Sequence, residues 1–491
     1  MNKCSATTRL KPFGAIGCDA DAAIFLFVLV TPQSGAIVLF VLTTYDLVTA
    51  HPPNSISPGQ VVAELEKHVL VDGFKMVIDL EQSRGSRLVD AATGRSFIDC
   101  YSFYASMPIG FNHPRFALPD AESELLAASK IKVANPDVYS VAYAEFVRAF
   151  SEVMGLPPLE RYFFIDGGAL AVENALKAAM DWKVRKNLAA GRGERGPEIL
   201  HFIGAFHGRS GYTLSLTNTE PRKTDLFAKF PWPRVLNPFV DFSLPECDRE
   251  ANVIEKEKRS EAQILGYLDE RPHDVAAILI EPIQGEGGDN HFRGEWLRAL
   301  RRLCDEHEIL LIFDEVQCGM GVTGRNWRCQ HFDVLPDLLV FGKKAQVCGV
   351  MAGPRLDEVK ENVFRLPSRI NSTWGGNFCD YVRSKHFLRI IQEENLVANA
   401  AAQGAQLLEA LQGVARANPV MTAVRGTGLL LAFDLPDRAW RDRFWNGAFE
   451  LGLLVLRCGE RSIRLRPVLD VADDILDEAV KIIAAEARRL A

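Results

Sequence analysis

Cysteine is scarce and scattered. The ten cysteines, at positions 4, 18, 100, 247, 304, 318, 329, 348, 379 and 458, form no C-x-x-C pair and no His-rich cluster. That argues against a disulfide scaffold and against a structural zinc or other metal site, and leaves a reducing cytoplasm as the default compartment. Positive charge is not in excess either: 56 Lys and Arg stand against 63 Asp and Glu, for a formal net charge of −7. A mildly acidic chain without a long basic run is a poor nucleic-acid binder, because phosphate contacts need clustered cations. There is no internal repeat and no low-complexity tract. With 48% apolar and 24% charged residues, the composition excludes collagen-like and wholly disordered chains. What remains is an ordinary globular protein, and 491 residues imply two or more domains.

One long uncharged run is present. Ala22 to Tyr45 holds 24 residues without a charge, long enough to cross a bilayer. Thr31-Pro32-Gln33-Ser34-Gly35 splits it into two shorter apolar stretches, and Asp19 and Asp21 before it have the wrong sign for a signal-peptide n-region. A membrane anchor is one reading. The other, which we adopt, is that residues 1–50 are an extension outside the working protein, whose natural start lies near Val48.

From about His51 the texture is strand–helix alternation. Arg161–Ile165, Glu198–Phe206, Val275–Ile283, Ile309–Val316 and Leu338–Phe341 read as strands, the last three nearly all apolar, as strands buried on both faces are. Ala169–Leu188 and Trp296–His307 have helical periodicity. Apolar strands separated by helices predict an α/β domain with a mostly parallel sheet. From Phe378 a long Ala/Leu/Glu helix, strands at Gly426–Leu435 and Ser462–Leu465, and a closing helix Asp474–Leu490 predict a smaller α+β domain. The expected division is an N-terminal segment at 51–110, a large domain at 111–377 and a small C-terminal domain at 378–491.

In parallel sheets, ligands bind beyond the carboxyl ends of the strands. Four such ends carry unusual polar groups. Asp166-Gly167-Gly168-Ala169 runs straight into a helix, a phosphate site made of bare backbone N–H groups. Ala205-Phe206-His207-Gly208-Arg209 offers an aromatic face and a cation. Phe313-Asp314-Glu315-Val316-Gln317 sets a carboxyl group after an apolar run, where it needs a partner. Leu339-Val340-Phe341-Gly342-Lys343 delivers a lysine through a glycine. Each has an ordinary structural reading when taken alone. Together they match pyridoxal 5'-phosphate (PLP), which needs a lysine for its Schiff base, an acid at the pyridine nitrogen and a cradle for its phosphate.

At these residues the chain resembles the class III, PLP-dependent ω-aminotransferases, from about position 55 to the C-terminus. Gly167–Ala175, Ala205–Tyr212, Gln284–Gly288 and Asn371–Asn377 are similar to its lysine ε-aminotransferase branch. The resemblance implies an aspartate aminotransferase-like fold and transfer of the side-chain amine of lysine to 2-oxoglutarate. It makes Lys343 the Schiff-base lysine, with Lys344 as runner-up, and pairs Asp314 with the pyridine nitrogen. Gln317 reaches the ring hydroxyl, Phe206 stacks on the ring, and Gly168 and Ala169 hold phosphate. Thr373 completes the phosphate site from the partner of a homodimer. Arg209 holds a substrate α-carboxylate, Arg464 the carboxylate of glutamate or 2-oxoglutarate, and Asn371 is a further substrate contact.

Glu286 has its own physical logic. One pocket must accept lysine by a neutral end and glutamate by a charged end, so a carboxylate that masks Arg464 and then swings away solves the conflict. Gly285, Gly287 and Gly288 suggest a loop free to move. Three positions depart from the family pattern: Cys318 stands where a hydroxyl is usual, Val468 where a second proline is usual, and Tyr104 is bulkier than expected beside the substrate channel or else packs in the core. The rival readings are an ω-aminotransferase acting on ornithine, 4-aminobutyrate or a diamine, and a silent PLP-fold or membrane-tethered binding protein. Arg209 disfavours diamines, which have no α-carboxylate.

Overall fold

The computed structural model describes residues 56–490 and, before them, the backbone of two strands, Ala23–Val30 and Ile37–Thr44. The expected start of the working protein, from Val48 to His51, lies outside the described residues. Contacts divide the chain into two compact units, Met1–Lys75 and Met76–Ala491. In the first, the described part of the long uncharged run is strand. It supplies two antiparallel strands of eight residues each, paired from Ala23 with Thr44 to Val30 with Ile37. The physical reason is in the residues: β-branched and aromatic side chains favour extended backbone, and Pro32 and Gly35 interrupt the run. Among the described residues no helix is long and apolar enough to cross a membrane.

The second unit is built on a seven-stranded sheet: β1 Arg161–Ile165, β2 Glu198–Phe202, β3 Arg234–Val235, β4 Val275–Ile280, β5 Leu310–Asp314, β6 Leu338–Phe341 and β7 Cys348–Ala352. Their order across the sheet is β1-β7-β6-β5-β4-β2-β3. All pairings are parallel except those of β7, which runs against both β6 and β1. The expected α/β architecture with a mostly parallel sheet is therefore present. Strand β7 is the addition. Its second residue, Gly349, weakens the strand signal, yet a Cβ there would fall 2.3 Å from the Phe163 carbonyl oxygen and 2.6 Å from the Phe341 ring.

The apolar strands are covered on both faces, as their composition requires. Along β5, Leu310 and Ile312 point to one core while Leu311 and Phe313 point to the other; β6 divides the same way, Leu338 and Val340 against Leu339 and Phe341. Helix α1 (Val141–Met154) closes one face, where Phe146, Phe150, Phe164, Phe341 and Tyr381 form an aromatic cluster with ring centroids 4.7–6.0 Å apart. Helix α2 (Gly168–Ala189) covers the other with Val172, Ala175, Leu176, Ala179 and Trp182.

Two C-terminal elements expected as single pieces are divided. The long helix from Phe378 is α3 (Phe378–Glu393) followed by α4 (Leu396–Ala417), broken where Asn395 turns left-handed at φ 53°. The expected strand Gly426–Leu435 is two antiparallel strands, Thr422–Thr427 and Leu430–Asp434. Gly428 between them has φ 56°, and a Cβ there would meet the Val322 carbonyl oxygen at 2.4 Å. These two strands, with Ser462–Leu465 and Leu456–Cys458, form a four-stranded sheet, and Asp473–Leu490 is the closing helix. Leu453–Leu454 instead joins Ser96–Asp99 of a separate sheet near the N-terminal side.

Phe146 sits at the centre of the aromatic cluster and has no exposed surface. Phe146→Ala should cost about 3–5 kcal/mol of stability, read as a lowered denaturant midpoint with an unchanged m-value.

Candidate active site

Three of the expected strands end earlier than their apolar runs. β2 stops at Phe202, β4 at Ile280 and β5 at Asp314, and the residues beyond turn out of the sheet. They wall a cavity of about 790 Å³, lined by Gly168, Ala169, Phe206, Arg209, Glu286, Asp314, Gln317, Lys343 and Arg464 among others. Nine of the residues singled out from sequence thus meet in one place. Thr373 and Asn371 do not line it. Both are exposed, and the Asn371 amide oxygen accepts a hydrogen bond from the neighbouring Ser372 N–H at 2.8 Å.

Asp314 is buried at the end of β5 and has two hydrogen-bond partners there. Oδ2 lies 2.8 Å from His207 Nδ1, and Oδ1 accepts the Val316 N–H at 3.1 Å. A carboxylate oxygen has two acceptor positions, so each still has one for a donor in the cavity. Lys343 reaches the same cavity by a route other than strand alternation. Gly342 is extended, and Lys343 itself opens a short turn, Lys343–Ala345, with a left-handed φ of 50°. Such a conformation in a non-glycine residue costs energy and persists where surroundings impose it. Lys344 is directed into the protein, where its Nζ donates to the Ala105 carbonyl at 2.9 Å. Burial first, and then the charge of Arg464, lower the Lys343 amine to about 8, against the raising influence of Glu286, Cys348 and Asp314.

At the other side of the cavity, Gly168 and Ala169 form the first turn of α2, whose bare N–H groups suit an anion. Gly208, at φ 124°, closes against them: a Cβ there would lie 2.5 Å from the Ala169 side chain. The Gln317 amide oxygen accepts from Arg464 at 3.2 Å and Arg466 at 3.0 Å, which turns its NH₂ group toward other partners. Arg466 is wholly buried against Asp289. Arg464, 1% exposed, pairs with Glu286 at 2.6 Å, so the departure at Val468 does not displace it from the cavity. Arg209 is exposed at the cavity wall, and among the described residues it pairs with no carboxylate. Tyr104 also lines the cavity and is 55% exposed, so it belongs to the channel and not to the core.

The loop carrying Glu286 is not free to move. A Cβ on Gly285 would lie 2.2 Å from the Gln317 amide oxygen, and one on Gly287 would lie 2.3 Å from the Gly204 carbonyl oxygen. These glycines serve close approach, not flexibility. The Glu286 carbonyl accepts the Gly459 N–H at 3.0 Å, and Arg425 holds the carbonyls of Gly288 and Asp289. Any release of Arg464 must therefore come from rotation of the Glu286 side chain.

Among the cavity residues not singled out from sequence are Glu281 and Lys223. Glu281 is buried and accepts the N–H groups of Phe206 at 2.9 Å and Gly285 at 3.1 Å, bracing both walls. Burial pushes its carboxyl up to about 7, opposed by His207 and reinforced by Asp314. It follows an all-apolar strand just as Asp314 does, so the same signal could have found it. Lys223 lies 2.6 Å from Glu286, and no sequence pattern marks it.

These residues fit the expected cofactor: an amine of lowered basicity, a buried carboxyl group with spare acceptor positions, and a helix N-terminus share a cavity large enough for a cofactor and a substrate. Borohydride added with PLP should label the protein and leave Lys343→Ala unlabelled. Because only the neutral amine attacks the aldehyde, uptake should rise with pH through about 8 and then level. An ordinary lysine would keep climbing toward about 10.4.

Residues 70–486 match the class-III aminotransferase family. Among similar proteins, the L-lysine-epsilon aminotransferase of Mycobacterium tuberculosis is 49% identical over 428 residues, 86% of this chain and 94% of the relative. That of Streptomyces clavuligerus is 45% identical over 430 residues, 87% and 94% of the two chains. The mitochondrial 4-aminobutyrate aminotransferase of Mus musculus is 32% identical over 454 residues, 85% and 86% of the two. The solved structure of lysine aminotransferase from M. tuberculosis in the internal aldimine form is 47% identical, with a TM-score of 0.87 over 89% of this chain and 100% of that one. The chain is a member of the class-III aminotransferases, which work with pyridoxal phosphate.

Proposed function

We propose that this enzyme transfers the side-chain amine of L-lysine to 2-oxoglutarate, giving 2-aminoadipate 6-semialdehyde and glutamate. The observation that carries the reading is the Glu286–Arg464 pair at 2.6 Å, in one cavity with Arg209, which pairs with no carboxylate among the described residues. With Arg464 masked, Arg209 lines the cavity with no carboxylate partner among the described residues, and a donor bearing an α-carboxylate can bind it while its neutral far end points at Lys343. With Glu286 rotated away, Arg464 offers a buried guanidinium to the carboxylate of glutamate or 2-oxoglutarate, a bidentate arrangement strong enough to discriminate. The 45–49% identity to proteins named lysine-epsilon aminotransferases supports lysine over 4-aminobutyrate, whose enzymes lie near 32%.

When bound, PLP supplies an electron sink for the carbanion left as the substrate carbon loses its proton. The chain does the rest. Asp314, oriented by His207, would hold a proton at the ring nitrogen, Phe206 would cover a ring face, and Gln317 would offer its NH₂ group to the ring hydroxyl. Gly168 and Ala169 hold the phosphate. Lys343, poised near neutrality, moves the proton to and from the substrate carbon as general base and acid.

The working assembly in this reading is a homodimer. The partner subunit's Thr373 completes the phosphate site; Thr373 is exposed and away from its own chain's cavity, which suits that role, and Asn371 stays a candidate substrate contact. The compartment is the reducing cytoplasm, in keeping with eight free thiols among the described residues. We retain the division into an N-terminal segment at 51–110, a large domain at 111–377 and a small domain at 378–491, the last supported by its separate four-stranded sheet.

Single-turnover mixing of the loaded enzyme with lysine, ornithine, 4-aminobutyrate or cadaverine should convert the cofactor fastest with lysine. Faster conversion by ornithine or 4-aminobutyrate would replace the proposed donor. Arg209→Ala should lower kcat/KM for lysine about 10- to 100-fold, the loss of a charge-assisted bond to substrate, mainly through KM. Glu286→Ala should slow the lysine half-reaction more than the glutamate one; equal losses would remove the masking role.

A further inference from the structure

Glu286 has two cationic partners, not one. Arg464 Nη2 takes Oε2 at 2.6 Å, and Lys223 Nζ takes Oε1, also at 2.6 Å. Lys223 ends a short turn, Pro221–Lys223, and its side chain is 17% exposed. Glu220 lies 3.9 Å from it, too far for a hydrogen bond, and is itself engaged by Arg222 at 2.7 Å. The Lys223 ammonium also stands 5.7 Å from the centroid of the Phe206 ring. All four of Lys223, Glu286, Phe206 and Arg464 line the one cavity.

The backbone of Glu286 is fixed, so its carboxylate leaves Arg464 only by rotating about its own side-chain bonds. A largely buried carboxylate stripped of its last partner is disfavoured, whereas one that keeps a second cation loses less. We propose that Lys223 is the positioning residue that holds Glu286 after it leaves Arg464, and so sets how readily the cavity switches from the substrate that enters by a neutral end to the dicarboxylate that enters by a charged one. This rests on the two-substrate reading above. Lys223 makes the open arrangement accessible; without it, Arg464 becomes the sole partner of Glu286, the masked arrangement dominates, and glutamate and 2-oxoglutarate must compete against a tighter pair.

The test uses the PLP-loaded enzyme and follows cofactor absorbance in single-turnover half-reactions with lysine alone and with glutamate alone. Lys223→Met should lower the apparent second-order rate constant for glutamate by about tenfold or more, largely as weaker glutamate binding, and leave that for lysine within about threefold. Lys223→Arg should recover most of the glutamate rate, because it restores a cation. Equal losses with both substrates, no loss with glutamate, or failure of arginine to recover it would each overturn the role of Lys223. The two-substrate reading fails separately, if wild-type enzyme does not convert with lysine; the glutamate arm still decides on Lys223.

Discussion

A carboxyl group at the end of a strand buried on both faces is tolerable only if the fold supplies its hydrogen bonds, and the site depends on how that demand is met at Asp314. His207 and the Val316 N–H engage one oxygen each from the protein side, and the open acceptor positions are left to the cavity. The same strands that make Asp314 costly to bury also make it immobile. A group held by an apolar sheet can orient a flat cofactor because neither the sheet nor the helix packed on it yields.

A second layer of charge surrounds the first. Glu281, Asp289, Arg464 and Arg466 are all buried at or near the cavity; Asp289 pairs with Arg466, Arg464 binds the side chains of Glu286 and Gln317, and Glu281 accepts backbone N–H groups. Arg466 and Asp289 form a wholly buried pair that fixes Gln317, and Glu281 ties the backbone of Phe206 to that of Gly285. The consequence is a rigid frame in which one side chain, Glu286, carries the adaptability. Substrate choice then becomes a matter of which cation a single carboxylate occupies.

The segment before the site shows a different use of strain. Ser102, Phe103, Tyr104 and Ala105 all have left-handed φ values between 39° and 65°. Asp99 accepts the N–H groups of Tyr101 and Ser102, the Ser102 hydroxyl donates to the Arg466 carbonyl, and Lys344 donates to Ala105. L-residues avoid this conformation, so the surrounding bonds impose it. The result is Tyr104 at the channel wall, tied through Lys344 to the turn that carries Lys343.

Sequence alone determined the parts that rest on local rules. Apolar runs of strand length, a glycine pair opening a helix, and polar residues following buried strands were enough to find Gly168, Phe206, Asp314 and Lys343, because a group at the carboxyl end of a parallel strand has only one side of the sheet to face. Recognisable strings added Gln317, Glu286, Arg209 and Arg464. What only the tertiary structure decided depends on close approach between distant segments. The reversed strand β7 was hidden by Gly349, which signals a break until the packed Phe341 ring gives it a reason. The glycines beside Glu286 read as freedom, yet Gln317 and Gly204 press on them, from 32 residues ahead and 83 residues behind. Lys223 carried no local signal, because an isolated lysine in a loop is ordinarily a solvated charge, and only the folded chain brings it to the second oxygen of Glu286.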